Sequence, residues 1–122
     1  VLMASDQAFV AKEQCAIYGA TKAAIAQLAK STALDYATYG IRVNCVCPGT
    51  IDTPMYQAVI SQFQQKTGLA ASLIREQVAK KLPLQRVGKP EEVAELVGFL
   101  CSEASSFMTG ALINIDGGYT IQ

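Results

Sequence analysis

Tyr18 and Lys22 stand one helical turn apart in Tyr18-Gly19-Ala20-Thr21-Lys22, and Ser5 precedes the tyrosine by thirteen positions. Side chains four apart on a helix share a face, so this spacing can set a phenol beside an ammonium. A free phenol has a pKa of about 10 and is a poor base at neutral pH, whereas a neighbouring positive charge favours its ionised form. Tyr18 can then exchange a proton with a substrate oxygen. Ser5 can hydrogen-bond that oxygen and hold its carbon within reach of a hydride. The chain has no histidine, so acid-base chemistry must come from another residue type. In a chain with five tyrosines, pairing on a helix surface explains a bare Tyr-x-x-x-Lys equally well.

The elements that must position these groups alternate along the chain. Val1 to Ala4 is an apolar run that reads as a strand already under way, with Ser5 at its end. From about Ala11 to Tyr36 the pattern is helical, with Ala16, Ile17, Ala20, Ala24, Leu28 and Leu34 at intervals of three and four. Gly40 stops it, and Ile41 to Cys47 alternates like a strand until Pro48-Gly49. Thr53-Pro54 reads as an N-cap with proline at the first helical position. Gly68 interrupts that helix, a second segment runs through Leu69, Leu73, Ile74 and Val78, and Pro83 ends it. Pro90-Glu91-Glu92 opens a further helix with carboxylates in its favourable first turn, and Leu112 to Ile115 forms a last strand. Strands alternating with helices predict a parallel α/β sheet with right-handed crossovers.

Composition narrows the partners. The 122 residues make one domain's worth of chain; 51% are hydrophobic and 16% charged, which predicts surface that expects a partner, and hence a homo-oligomer. Ten basic residues balance ten acidic ones and no basic run exceeds Lys80-Lys81, so the footprint of a nucleic-acid or membrane-surface binder is missing. Cys15, Cys45, Cys47 and Cys101 lack zinc or redox spacing, no metal site is expected, and Cys45 and Cys47 would share a buried strand face. No apolar run suggests a membrane span or a signal sequence, which predicts a reduced, cytoplasmic protein.

The whole chain resembles the C-terminal half of a short-chain dehydrogenase/reductase of the classical type. The resemblance rests on Ser5, Tyr18-Gly-Ala-Thr-Lys22, Ile41-Arg-Val-Asn-Cys-Val-Cys-Pro-Gly49, Thr50-Ile-Asp-Thr-Pro54, Gly88-Lys-Pro-Glu-Glu-Val-Ala94, and Thr109-Gly110 leading to Asp116-Gly-Gly118. It implies the second half of a doubly wound, Rossmann-like sheet of about three strands. It implies Tyr18 as general acid/base, Lys22 as the residue that favours its ionisation and binds the nicotinamide ribose, and Ser5 as the group orienting the substrate carbonyl. The Pro48-Gly49 loop would lie along the nicotinamide, Ile51 would meet the carboxamide through its backbone, and Thr53 would offer a hydroxyl to the carboxamide or diphosphate. Cys47 departs from the asparagine that often precedes this turn. Residues 54–83 fall where the family places its substrate lobe, and Met55, Tyr56 and Phe63 there read first as core. Asp116-Gly117-Gly118 reads as a turn.

The implied activity is hydride transfer between NAD or NADP and a secondary alcohol or ketone. The Gly-rich turn and helix that receive the dinucleotide's pyrophosphate are absent from the 122 residues, so the chain is read as a single partial domain, inactive in isolation. The alternative is a truncated relative that acts as an oligomerisation module, a dimer or tetramer built on the first strand's open edge and the alanine-rich helix.

Overall fold

In the computed structural model, which describes all 122 residues, seven regular elements follow the order β1 (Leu2–Met3), α1 (Ala16–Tyr36), β2 (Cys45–Pro48), α2 (Pro54–Thr67), α3 (Ala71–Lys80), α4 (Pro90–Cys101) and β3 (Leu112–Ile115). The strands form one parallel sheet in the order β1-β2-β3. Leu2 pairs with Cys45 and Met3 with Val46, while Cys45 to Pro48 pair with Leu112 to Ile115. The central strand is covered on both faces, and Cys45, Val46 and Cys47 are each 0% exposed. That is the usual state of a parallel strand beneath crossover helices.

The helix packed on the sheet is held by small residues. Ala26 and Ala29 of α1 meet Ala4, Cys45 and Cys47 in one core cluster. Short side chains let the helix axis approach the sheet, at the cost of little apolar area per residue. The apolar stripe expected from spacing is different: Ile17, Leu28 and Leu34 face outward, Ile17 at 84% exposure. A second cluster, Tyr56, Ile60 and Ile74, joins α2 to α3. Asp52, Gln57 and Arg75 extend that joint as a polar chain, and the Arg75 guanidinium lies 5.6 Å from the Tyr56 ring centre. Met55 and Phe63, read as core, are instead largely exposed; only Tyr56 of the three is buried.

Three boundaries differ from expectation. Helix α1 starts at Ala16 rather than Ala11, because Gln14 takes a left-handed φ of 59° that breaks the helical path. Strand β2 starts at Cys45 rather than Ile41, because the polar positions before it serve the neighbouring connection. Arg42 donates to the carbonyls of Leu100, Ser102 and Met108, and Asn44 donates to the Met108 carbonyl while accepting from the Ala111 amide. Those bonds satisfy the end of α4 and align the start of β3. Ser5, expected to end β1, instead caps a short 3₁₀ turn at Asp6–Ala8.

Other boundaries follow local chemistry. Thr53 caps α2, its hydroxyl accepting from the Tyr56 amide at 3.3 Å, a contact generally worth about 1 kcal/mol. Gly68 ends the same helix at φ 72°, a left-handed value suited to glycine.

Candidate active site

Ser5, Tyr18 and Lys22 come from two elements that touch. Lys22 reaches back from α1, its Nζ 3.4 Å from the Met3 carbonyl at the end of β1, and the same ammonium lies 5.4 Å from the centre of the Tyr18 ring. One turn earlier, Gly19 sits against Gln7, with an added Cβ 3.6 Å from the Gln7 carbonyl oxygen. The face of α1 carrying Tyr18, Gly19 and Lys22 is therefore laid over the segment that carries Ser5. Tyr18 is 39% exposed, whereas Ser5 is buried.

Ser5 makes two hydrogen bonds inside the chain. It donates its hydroxyl hydrogen to Asp6 Oδ1 at 2.9 Å and accepts from the Gln7 amide at 3.2 Å. Asp6 is 1% exposed and accepts from Lys12 Nζ at 2.7 Å. The Lys12 ammonium in turn lies 4.6 Å from the centre of the Tyr119 ring. Spacing alone singled out neither Asp6 nor Lys12. The cue lay in a carboxylate next to the candidate serine and a lysine six residues further on.

The Pro48-Gly49 turn leaves β2 beside this group, at the C-terminal ends of parallel strands, where ligands of open α/β sheets bind. Gly49 donates its amide hydrogen to the Ile115 carbonyl at 3.0 Å, and a Cβ built on it would stand 2.8 Å from Asp116 Cα. Two backbones pass here with no room for a side chain. Burial pushes the Cys47 thiol up to about 12, with Cys45 beside it adding to the shift, so this thiol is inert packing rather than a nucleophile.

Beyond the turn, Ile51 bridges to Gly88: the Asp52 amide donates to the Gly88 carbonyl at 2.9 Å and the Gly88 amide to the Thr50 carbonyl at 3.0 Å. Thr53 donates to the Ile51 carbonyl at 3.4 Å, so its hydroxyl serves the loop as well as the helix cap. The Gly88 side of the bridge is fastened in turn. Arg86 donates to both oxygens of Glu92, at 2.8 and 2.6 Å, and Glu92 also accepts from the Lys89 amide at 2.7 Å. Sequence spacing recognised Glu92 as a first-turn carboxylate and missed its partner Arg86.

The chain as a whole is similar to known proteins. A family model described as enoyl-(acyl carrier protein) reductase matches residues 1–120. A crystal structure of a short-chain dehydrogenase family protein from Francisella tularensis superposes with a TM-score of 0.95 at 51% identity, over 98% of this chain and 49% of that one. The chain belongs to the short-chain dehydrogenase/reductase family. Among curated relatives, a tropinone reductase homologue of Arabidopsis thaliana is 43% identical over 99% of this chain and 41% of its own length. The cis-4-hydroxycyclohexanecarboxylate dehydrogenase of Sinomonas cyclohexanicum is 46% identical over 84% of this chain and 37% of its own length. L-sorbose reductase from Gluconobacter frateurii, solved with NADPH and L-sorbose, matches with a TM-score of 0.92 at 32% identity, over 98% of this chain and 46% of its own. The chain thus spans less than half of these short-chain dehydrogenase/reductase relatives.

As in a Rossmann-like half-sheet, the loops at the strand ends are fixed by ionised carboxylates. The hydrogen bonds from Arg86, then from the Lys89 amide, hold Glu92 at about 2. Burial pushes Asp116 up, but hydrogen bonds from the Thr120 hydroxyl and amide and the Gly118 amide outweigh it and hold this carboxyl below its usual range. This ladder of bonds supports the turn reading of Asp116-Gly117-Gly118. A carboxylate depressed in the folded state stabilises fully above its unfolded pKa of about 4 and loses that contribution as pH falls through the folded value. The melting temperature is therefore expected to be flat from about pH 7 to about pH 5 and to fall steadily below about pH 4. Glu92→Gln should remove part of that slope; a parent curve flat down to about pH 2 would contradict the assignment.

No helix is long and apolar enough to cross a membrane.

Proposed function

We propose that residues 1–122 are the catalytic half of an NAD(P)-dependent oxidoreductase that interconverts a small secondary alcohol and its ketone. One observation carries the reading: Lys22 spans from the Tyr18 ring to the end of β1, two residues from Ser5. The relatives support it, since L-sorbose reductase was solved with NADPH and its sugar substrate and a polyketide ketoreductase with NADPH.

The residues present fit a nicotinamide nucleotide. Tyr18 is exposed and Lys22 half-buried beside the end of β1, and Pro48, Gly49, Ile51 and Thr53 form a loop braced from behind by Asp116 and Gly88. In this reading Lys22 holds the ribose, Pro48-Gly49 lies along the ring, and the Ile51 backbone and Thr53 hydroxyl meet the carboxamide. The bound nicotinamide would supply or accept the hydride.

The protein's own part is acid-base and positional. In reduction the Tyr18 phenol gives its proton to the oxygen that becomes the alcohol; in oxidation the phenolate takes that proton back. The Lys22 ammonium stabilises the negative charge left on the tyrosine oxygen. Ser5 holds the reacting oxygen beside Tyr18, so that the carbon faces the cofactor. Residues 54–83, with their exposed Met55 and Phe63, cover the substrate side as a small lobe of the one partial domain.

A second reading is an interaction module, favoured by the outward-facing Ile17, Leu28 and Leu34 of α1. It calls for self-association, as a dimer or tetramer, without turnover.

Titrating an enzyme that carries this segment together with a dinucleotide-binding half with NADPH and NADH, by nicotinamide fluorescence, and measuring self-association of the 122-residue chain separates the two. Saturable binding that Lys22→Met weakens at least tenfold, about 1.4 kcal/mol, is the expected result for the oxidoreductase reading. Self-association with no binding at millimolar cofactor would favour the module, and a strict monomer would rule the module out.

A further inference from the structure

Ile51 has two backbone edges, and the chain uses one of them. In its parallel bridge to Gly88 the bonds are made by its neighbours, the Thr50 carbonyl accepting from the Gly88 amide at 3.0 Å and the Asp52 amide donating to the Gly88 carbonyl at 2.9 Å. Backbone groups alternate sides along an extended segment, so the amide and carbonyl of Ile51 itself point away from Gly88. That amide donates to no backbone carbonyl, and the carbonyl accepts one long bond, from Thr53 at 3.4 Å. A free donor beside an acceptor is the complement of a primary carboxamide.

Packing does not fix where this edge stands. A cavity of about 80 Å³ adjoins the bridge, walled in part by Ile51, Leu82, Leu84 and Ile115, and a segment backed by a void is not wedged in place. Hydrogen bonds at the Gly88 end do the fixing. Glu92 accepts from the Lys89 amide at 2.7 Å and from both terminal nitrogens of Arg86. Its Oε2 lies 3.8 Å, and Ile51 Cδ1 2.6 Å, from the point where a Gly88 Cβ would stand, so the carboxylate and the Ile51 methyl pack on the same bare glycine. A forked guanidinium-carboxylate pair has one geometry. Exposed as it is, it adds little stability, and what it supplies is position.

We infer that Arg86 and Glu92 are positioning residues for the cofactor: their forked pair fixes Gly88, and Gly88 fixes the free edge of Ile51 that holds the nicotinamide carboxamide. This deepens the proposed function and rests on its placement of the Pro48 to Thr53 loop along the nicotinamide. The pair acts through the Lys89 amide, Gly88 and Ile51 rather than by contact. Its effect is therefore confined to the nicotinamide end of the dinucleotide. NADH and NADPH share that end, so the pair strengthens the binding of both alike and leaves the choice between them untouched.

Two variants test this. Glu92→Ala removes the carboxylate, and Arg86→Lys keeps the charge but not the fork, leaving the Glu92 bond to the Lys89 amide at the start of α4. The first readout is amide hydrogen exchange on the 122-residue chain without cofactor. Protection of the Asp52 and Gly88 amides should fall about tenfold in Glu92→Ala and about threefold in Arg86→Lys, while the Cys45 and Gly49 amides, which bond to Ala111 and Ile115, keep theirs. Unchanged protection of Asp52 and Gly88 in both variants overturns the inference, whatever the enzyme binds. The second readout uses an enzyme that carries this segment together with a dinucleotide-binding half. Its dissociation constants are measured for NADH and NADPH, and for ADP-ribose and its 2′-phosphate, which lack the nicotinamide. Glu92→Ala should weaken NADH and NADPH equally, by about tenfold, and leave the two ADP-riboses within twofold of the parent; Arg86→Lys should show the same selectivity at about threefold. A loss shared by the ADP-riboses, or no loss at all, overturns the positioning role and leaves the proposed function standing. A parent that binds each nicotinamide nucleotide no better than the matching ADP-ribose overturns instead the placement of the loop along the ring, and the positioning role falls with it.

Discussion

Turnover should fall about 1,000-fold when Tyr18 is replaced by phenylalanine in an enzyme that carries this segment, the usual scale for losing a positioned proton donor. The substitution removes one oxygen and keeps the ring over which the Lys22 ammonium sits at 5.4 Å. The helix, the packing of Gly19 on Gln7 and the reach of Lys22 to Met3 are then expected to survive, and the melting temperature to stay within a degree or two of the parent. Cofactor affinity should also hold to within about threefold, because a ribose grip through Lys22 does not depend on the phenol oxygen. The loss should appear in kcat far more than in KM, since the proton moves only in the chemical step. A variant that retains more than a tenth of parental turnover would take the acid/base role away from Tyr18.

The second large effect concerns Gly49 and is structural first. Its Cβ would stand 2.8 Å from Asp116 Cα, a backbone atom that has no side-chain freedom with which to retreat. Asp116 is itself held by Thr120 and the Gly118 amide. Gly49→Val is therefore expected to cost about 3 kcal/mol, lowering the melting temperature by roughly 10 °C for a domain of this size. Gly88 provides the contrast. Its Cβ would come within 2.6 Å of Ile51 Cδ1, the far end of a flexible side chain, so Gly88→Ala should cost less than about 1 kcal/mol. Scanning calorimetry on the two variants checks the ranking, and a Gly49→Val protein that melts with the parent would mean that β2 and β3 do not approach as described.

Much of this was legible from residue order. Proline after a capping threonine, glycine at a left-handed helix end and two carboxylates in a first turn are local signals, and α2 and α4 begin or end where those signals stand. Tyr18 and Lys22 were legible because four residues on a helix fix a common face. Long-range demands overrode local pattern elsewhere. Arg42 and Asn44 look like the polar half of a strand alternation, yet both are recruited by carbonyls and amides that lie far along the chain. The buried stripe of α1 was misjudged because alanine, the residue that permits the closest approach to the sheet, carries the weakest hydrophobic signal. Asp6 and Lys12 were missed for a related reason: their meaning lies in a buried ion pair, and no periodicity announces one.

The parallel order of the sheet also sets when the site can exist during folding. Strand β1 is only Leu2–Met3, and its partner β2 follows on the far side of the whole of α1, with β3 further still beyond three helices. Helices form from neighbours in sequence, whereas such strand pairings must first close long loops, and chains dominated by them fold slowly. Tyr18 and Lys22 come together as soon as α1 winds. Ser5 joins them only when the amides of Leu2 and Ala4 find the carbonyls of Asn44 and Val46. Until then the chain displays an apolar strand with a free edge, the surface most prone to pair with another copy or to be captured by a chaperone. The contacts that bring the serine to the tyrosine thus wait on a long-range strand pairing, and any delay in closing that pairing is a delay in the appearance of the proposed reaction centre.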